Sequence, residues 1–111
     1  MYDLHLADRI SYQLKQKGIV FEEKKMMGGL CFMVDDKMCI GINKDEMMAR
    51  IGPDLYEEAL QEEGCKEMRF TKRPMKGFVY IEARGIDSDA DLEKWVQRCL
   101  DFNPLAKSSK K

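Results

Sequence analysis

Histidine is almost absent from this chain, which has one, at position 5, and proline and tryptophan are scarce, at three and one. A single histidine rules out a Cys₂His₂ zinc site and weakens any chemistry centred on a pair of imidazoles. His5 falls in the first turn of an expected helix, where a solvated surface residue is the simpler reading. Net charge is also nearly missing: 19 Lys+Arg against 20 Asp+Glu leave −1, and the pI is about 5.9. That balance argues against a protein whose main task is coating phosphate backbones, so direct DNA binding is not expected. Long apolar runs are lacking too. Nothing approaches the roughly 18 uninterrupted apolar residues of a membrane span, and Met1-Tyr2-Asp3-Leu4-His5 carries no basic leader. The expected compartment is cytoplasmic. Cys31, Cys39, Cys65 and Cys99 include no C-x-x-C pair, so reduced, partly buried thiols are expected, with no metal and no cofactor.

What the chain does have is 44% hydrophobic and 35% charged residues in a length of 111. This suits one domain that buries roughly two-thirds of its unfolded surface and needs neither metal nor disulfide. The domain is expected over residues 1–103, followed by a flexible basic tail at 104–111.

Local patterns order the elements. Asp3 is placed to cap a helix from Leu4 to Lys17, with Leu4, Ala7, Ile10 and Leu14 at helical spacing, and Gly18 suits its exit. Ile19 to Lys25 predicts a short strand. Leu30–Val34, Lys37–Ile42 and Met47–Ile51 predict three more, joined at Asp35-Asp36 and Asn43–Asp45. Gly41 within the third marks a bulge or a close approach. Gly52-Pro53 opens a second helix, with proline at its first position. Strands at Glu67–Phe70 and Phe78–Ala83 follow, separated by a loop from Thr71 to Gly77. Ser88, with Asp91 three residues on, resembles a capping box. Leu92, Trp95, Val96, Cys99 and Leu100 then form an amphipathic stripe, stopped by Asn103-Pro104. The fold class is therefore α+β, a two-layer antiparallel sheet of five or six strands with helices at the N-terminus, middle and C-terminus. Three helices for one sheet cover one face and leave part of the other open, a natural dimer surface.

Candidate site residues fall in two places. Met27-Gly28-Gly29 offers backbone N–H groups to an anion, but no G-K-[ST] and no helix follow, and a turn needing glycine explains the pair more simply. Arg73-Pro74-Met75-Lys76-Gly77, with Lys72 before it, gathers three cations that suit a phosphate or an acidic partner; a solvated hairpin loop is the plainer alternative. A pocket between the Gly28-Gly29 turn and the Arg73–Gly77 loop would make a small anion- or ligand-binding domain, or an enzyme. Nine methionines, most of them in the strand-rich part, suit either core or partner surface. Asp54, Glu57, Glu58 and Glu62 line the solvent side of the second helix and make poor general acids. Of the thiols only Cys65, expected in a loop, is a candidate for exposure, and it has no histidine to activate it. No catalytic constellation emerges.

Three blocks together resemble a known family. Lys25-Met26-Met27-Gly28-Gly29-Leu30-Cys31-Phe32-Met33, followed by Asp36-Lys37-Met38, is similar to the K-x-M-F-G-G-x-G-F-M…G-K-M signature of the TfoX/Sxy N-terminal domain. Met48-Ala49-Arg50-Ile51-Gly52-Pro53 with Tyr56-Glu57-Glu58-Ala59 resembles its L-R-V-G-P…Y-E-E-A. Arg73-Pro74-Met75-Lys76-Gly77-Phe78-Val79-Tyr80 resembles its R-P-M-K-G-[WF]-V-Y. The likeness covers roughly residues 3–102, with Met27 where Phe is usual and Cys31 where Gly is common. It implies a fold like type III secretion chaperones, α-β-β-β-α-β-β-α, often dimeric, and a non-enzymatic role. In competence regulators that role is co-activation of transcription beside the cyclic-AMP receptor protein. Those regulators carry a further C-terminal helical domain, and the length here corresponds to the N-terminal domain standing alone. The resemblance thus implies a protein-interaction module, homodimeric, with a protein partner in transcription regulation.

Overall fold

The structure, a computed structural model, describes residues 2–26, 29–70 and 73–106. Helix α1 spans Leu4–Gln16, and the Asp3 carboxylate accepts from the N–H groups of His5 (2.9 Å) and Leu6 (3.1 Å), satisfying two donors the helix itself cannot. Strands β1 (Glu22–Met26), β2 (Gly29–Val34), β3 (Lys37–Asn43) and β4 (Glu46–Arg50) follow as a meander. Asp35 and Asp36 both take left-handed backbone (φ 54° and 63°), matching a tight two-residue hairpin turn. Helix α2 (Pro53–Ala59), strands β5 (Cys65–Phe70) and β6 (Arg73–Ile81), and helix α3 (Asp89–Phe102) complete the chain, with short 3₁₀ turns at Ala83–Gly85 and Asn103–Leu105. The Ser88 hydroxyl accepts from Asp91 N–H at 3.1 Å, so the expected cap at the start of α3 is present.

The six strands form one antiparallel sheet in the order β1-β2-β3-β4-β6-β5. Four strands precede α2, one more than the resemblance implies, and the extra one is the edge strand β1. The segment expected as a loop up to Gly77 is instead largely strand, because β6 begins at Arg73 and pairs back onto β5. Sequence pattern missed this because Pro74 and Gly77 read as turn signals. A bulge inserts Cys39 opposite Phe32, shifting the β2–β3 register between Ile40 and Met38.

One cluster holds the layers together. The buried residues of α1 (Leu6, Ala7, Ile10, Leu14), α2 (Tyr56, Ala59) and α3 (Leu92, Trp95, Val96, Cys99) all join it, against Leu30, Phe32, Ile40, Ile42, Met47, Ala49, Val79 and Ile81 of the sheet. All three helices therefore pack on one face. Asn103, buried at the end of α3, donates to the Val34 carbonyl (3.3 Å), while its own carbonyl accepts from Lys37 Nζ (3.1 Å). Those bonds tie the β2–β3 hairpin to the helix layer. Of the tail expected at 104–111, Ala106 is buried, and 107–111 lie outside the described residues.

Candidate functional site

Met27 and Gly28 lie outside the described residues, as do Thr71 and Lys72. Gly29 opens β2, and a Cβ there would run into the Ile42 carbonyl oxygen, so the second glycine of the pair is needed for strand-to-strand approach. Arg73, Pro74, Met75, Lys76 and Gly77 all lie on β6. Lys76 is exposed, whereas Gly77 is buried with φ +96°, and its carbonyl accepts from Ile51 N–H (2.9 Å) and Gly52 N–H (3.1 Å). Gly77 thus anchors the β4–α2 junction, a structural task.

The two candidate groups do not meet. Strands β3 and β4 stand between β2 and β6. Gly29 is in line with the Asn43–Glu46 turn, while Gly77 lies beyond the Arg50–Phe78 pair at the other end of β4. A cleft of about 420 Å³ lies between α1 and α3, lined by Tyr12, Gln13, Lys17, Asp89 and Glu93. It contains no thiol or imidazole.

The acidic and thiol candidates also find structural partners. Glu62 is not on a solvated helix face; it sits in the turn after α2, paired with Lys94 (2.6 Å) and Arg98. Burial pushes its carboxyl upward, but hydrogen bonds from Lys94 and Arg98 outweigh that and hold it below the usual range. Both cations also lie over the Trp95 ring, at 5.5 and 4.8 Å from its centre. Cys65 begins β5 and is half-buried rather than exposed in a loop; burial, with Glu62 nearby, pushes its thiol up to about 11. Burial likewise pushes Cys31 to about 11, Cys39 to about 12 and Cys99 well above the ordinary value. All four are poor nucleophiles. Among the described residues, no group of three or more His, Cys, Asp or Glu is placed to hold a metal ion.

The face of the sheet opposite the helices has its own organisation, which the sequence did not reveal. Lys24, Cys31, Gly41, Met48, Tyr80 and Lys66 lie in one row across all six strands, each directly opposite the next. Directly opposed residues share a face, so the row is one surface with a cation at each end. Met33 stands opposite Met38, and the Cys31 thiol is 3.5 Å from the Met33 sulfur. Cys31 and Met48 are buried yet lie outside the core cluster, while Met33, Met38, Phe78 and Tyr80 are half-buried. Gly41 carries no side chain in the middle of this row, and the Met48 methyl lies over it. The rim is charged: Lys66 pairs with Glu46 (2.6 Å) and Glu82 (3.7 Å), and Asn43 donates to the Tyr80 hydroxyl (3.4 Å). The signal was there in part, since Cys31, Met33, Met48, Phe78 and Tyr80 alternate with core residues along their strands. Which set of alternate positions lacks a helix is settled only by packing.

A family model, TfoX N-terminal domain, matches residues 13–103. No curated protein matches the chain, and no solved structure does. The match spans the sheet, α2, α3 and the last turn of α1, and the motifs that carry the resemblance all lie within it. This chain belongs to the TfoX N-terminal domain family.

Proposed function

We propose that this protein is a non-enzymatic interaction module, dimeric and cytoplasmic, that takes part in transcription regulation by docking a protein partner on the helix-free face of its sheet. The observation that carries the reading is that face. It joins adaptable thioethers and two aromatic side chains at its centre to a charged rim, a composition suited to protein contact. The protonated, buried thiols and the separation of Gly29 from the β6 candidates favour docking over catalysis or anion capture. Lys76, exposed on β6, and the neighbouring positions Arg73–Met75 are proposed as contributors to the same partner surface.

The test pairs a fold control with a regulatory readout. Met33→Glu, at a half-buried position outside the core cluster, should keep cooperative unfolding. In cells lacking the native gene, wild-type protein should restore the transcript profile and the variant should not. Full restoration by a folded Met33→Glu protein would refute docking through this face. Sedimentation velocity that finds only monomer at micromolar concentration would refute the dimeric part.

A further inference from the structure

The outer edge of β1 meets solvent with an ordered charge pattern. β1 is a terminal strand, and Glu22, Glu23, Lys24 and Lys25 are all exposed. Charges on an edge strand ordinarily keep other strands from adding to it. Here the order of the signs matters. Glu22 and Lys24 stand opposite Met33 and Cys31, on the helix-free face, whereas Glu23 and Lys25 stand opposite the core residues Phe32 and Leu30, on the helix side. Two copies joined antiparallel at this edge are related by a two-fold axis perpendicular to the sheet. That symmetry requires directly opposed residues to share a face. With the axis at Glu23, Glu22 of each copy falls opposite Lys24 of the other on the helix-free side. Glu23 then meets its own counterpart, flanked diagonally by Lys25 from both copies. The same register sets Val20, 87% exposed, opposite position 26 of the other copy. In this register a second copy sets unlike charges opposite each other in the two Glu22–Lys24 pairs, and Lys25 of both copies flanks the single like pair, Glu23 with Glu23.

We infer that β1 is the self-association edge, pairing antiparallel with β1 of a second copy about an axis at Glu23 to make one continuous twelve-stranded sheet. The inference rests on the dimeric reading above and adds its geometry. The perpendicular axis places both helix-free faces on the same side, so the dimer presents one doubled docking surface.

Charge reversal tests this with the full chain. Either Glu22→Lys or Lys24→Glu converts both cross-strand ion pairs into like-charge pairs and should weaken the dimer on the order of 10- to 100-fold, with the loss smaller at high salt. Mixing the two single variants should restore association, because each then supplies the sign the other lacks. The double variant should self-associate as the wild type does. Sedimentation velocity across a concentration series reads all four, and thermal unfolding checks that each variant is folded. A dimer whose dissociation constant ignores both single reversals would overturn the edge while leaving the dimeric reading intact. Monomeric wild-type protein would overturn both. Dissociation by Lys25→Glu but not by Lys24→Glu would overturn the register, since Glu23 would then pair with Lys25 instead.

Discussion

Replacing Gly77 by alanine provides a direct measure of how β6 supports the β4–α2 junction. At φ +96° an L-residue is strained by roughly 1–2 kcal/mol. The added Cβ would also lie 3.2 Å from the Gly52 carbonyl carbon and 3.3 Å from Pro53 N, both backbone atoms with little freedom to move. Relieving that contact lengthens the two hydrogen bonds that Ile51 and Gly52 donate to the Gly77 carbonyl, each contributing about 1 kcal/mol. Against this, alanine restricts the unfolded chain and returns about 0.4–1 kcal/mol. The net expectation for Gly77→Ala is a destabilisation of about 1–3 kcal/mol, a fall of roughly 1–2 M in the urea midpoint with unchanged slope. Trp95, the only tryptophan and 1% exposed, reports unfolding by its fluorescence. Gly41→Ala is the matched comparison. Its added methyl meets chiefly the Met48 methyl, at 2.9 Å, the far end of a flexible side chain, and the loss should stay within about 1 kcal/mol. A Gly77→Ala midpoint at or above that of the wild type, or a larger loss at Gly41, would refute the reasoning.

Two other perturbations follow from buried or paired groups. Glu62→Gln removes the ion pairs to Lys94 and Arg98 and should destabilise by about 1 kcal/mol near neutral pH. Because the folded carboxyl is held below its unfolded value, that stability is present above the unfolded pKa and is lost as pH falls through the folded one. The wild-type and variant melting temperatures should therefore converge under acid, and a gap that persists there would contradict the pairing. For the thiols, burial that pushes Cys31 and Cys65 up to about 11 leaves roughly 100-fold less thiolate at pH 8 than an ordinary cysteine has. A disulfide exchange reagent should find no fast thiol in the native protein and four in urea, and a fast native thiol would contradict the burial.

The helices and the meander were readable because each carries local chemistry. Asp3 and Ser88 start helices with side-chain acceptors, and Asp35-Asp36 closes a hairpin with two left-handed residues. The stripe Leu92, Trp95, Val96 and Cys99 announces the buried face of α3. β6 was harder: Pro74 and Gly77 are turn-forming residues, and only pairing with β5 and β4 makes a strand of them. Glu62 and Cys65 were misplaced for the same reason, since their neighbours come from α3 and β6, distant in sequence.

Sequence alone carried the family, the fold class and the order of elements, because caps, turns and apolar spacing act over a few residues. Tertiary structure alone decided that Gly29 and Gly77 lie apart, and that Met47 is core while Met48 is not. It also decided that Cys31, Met33 and Tyr80 belong to a face no helix covers. Alternation along a strand says only that two faces exist. Which of them the helices bury depends on contacts between residues far apart in the chain, and those form only when the sheet and the helix layer pack together.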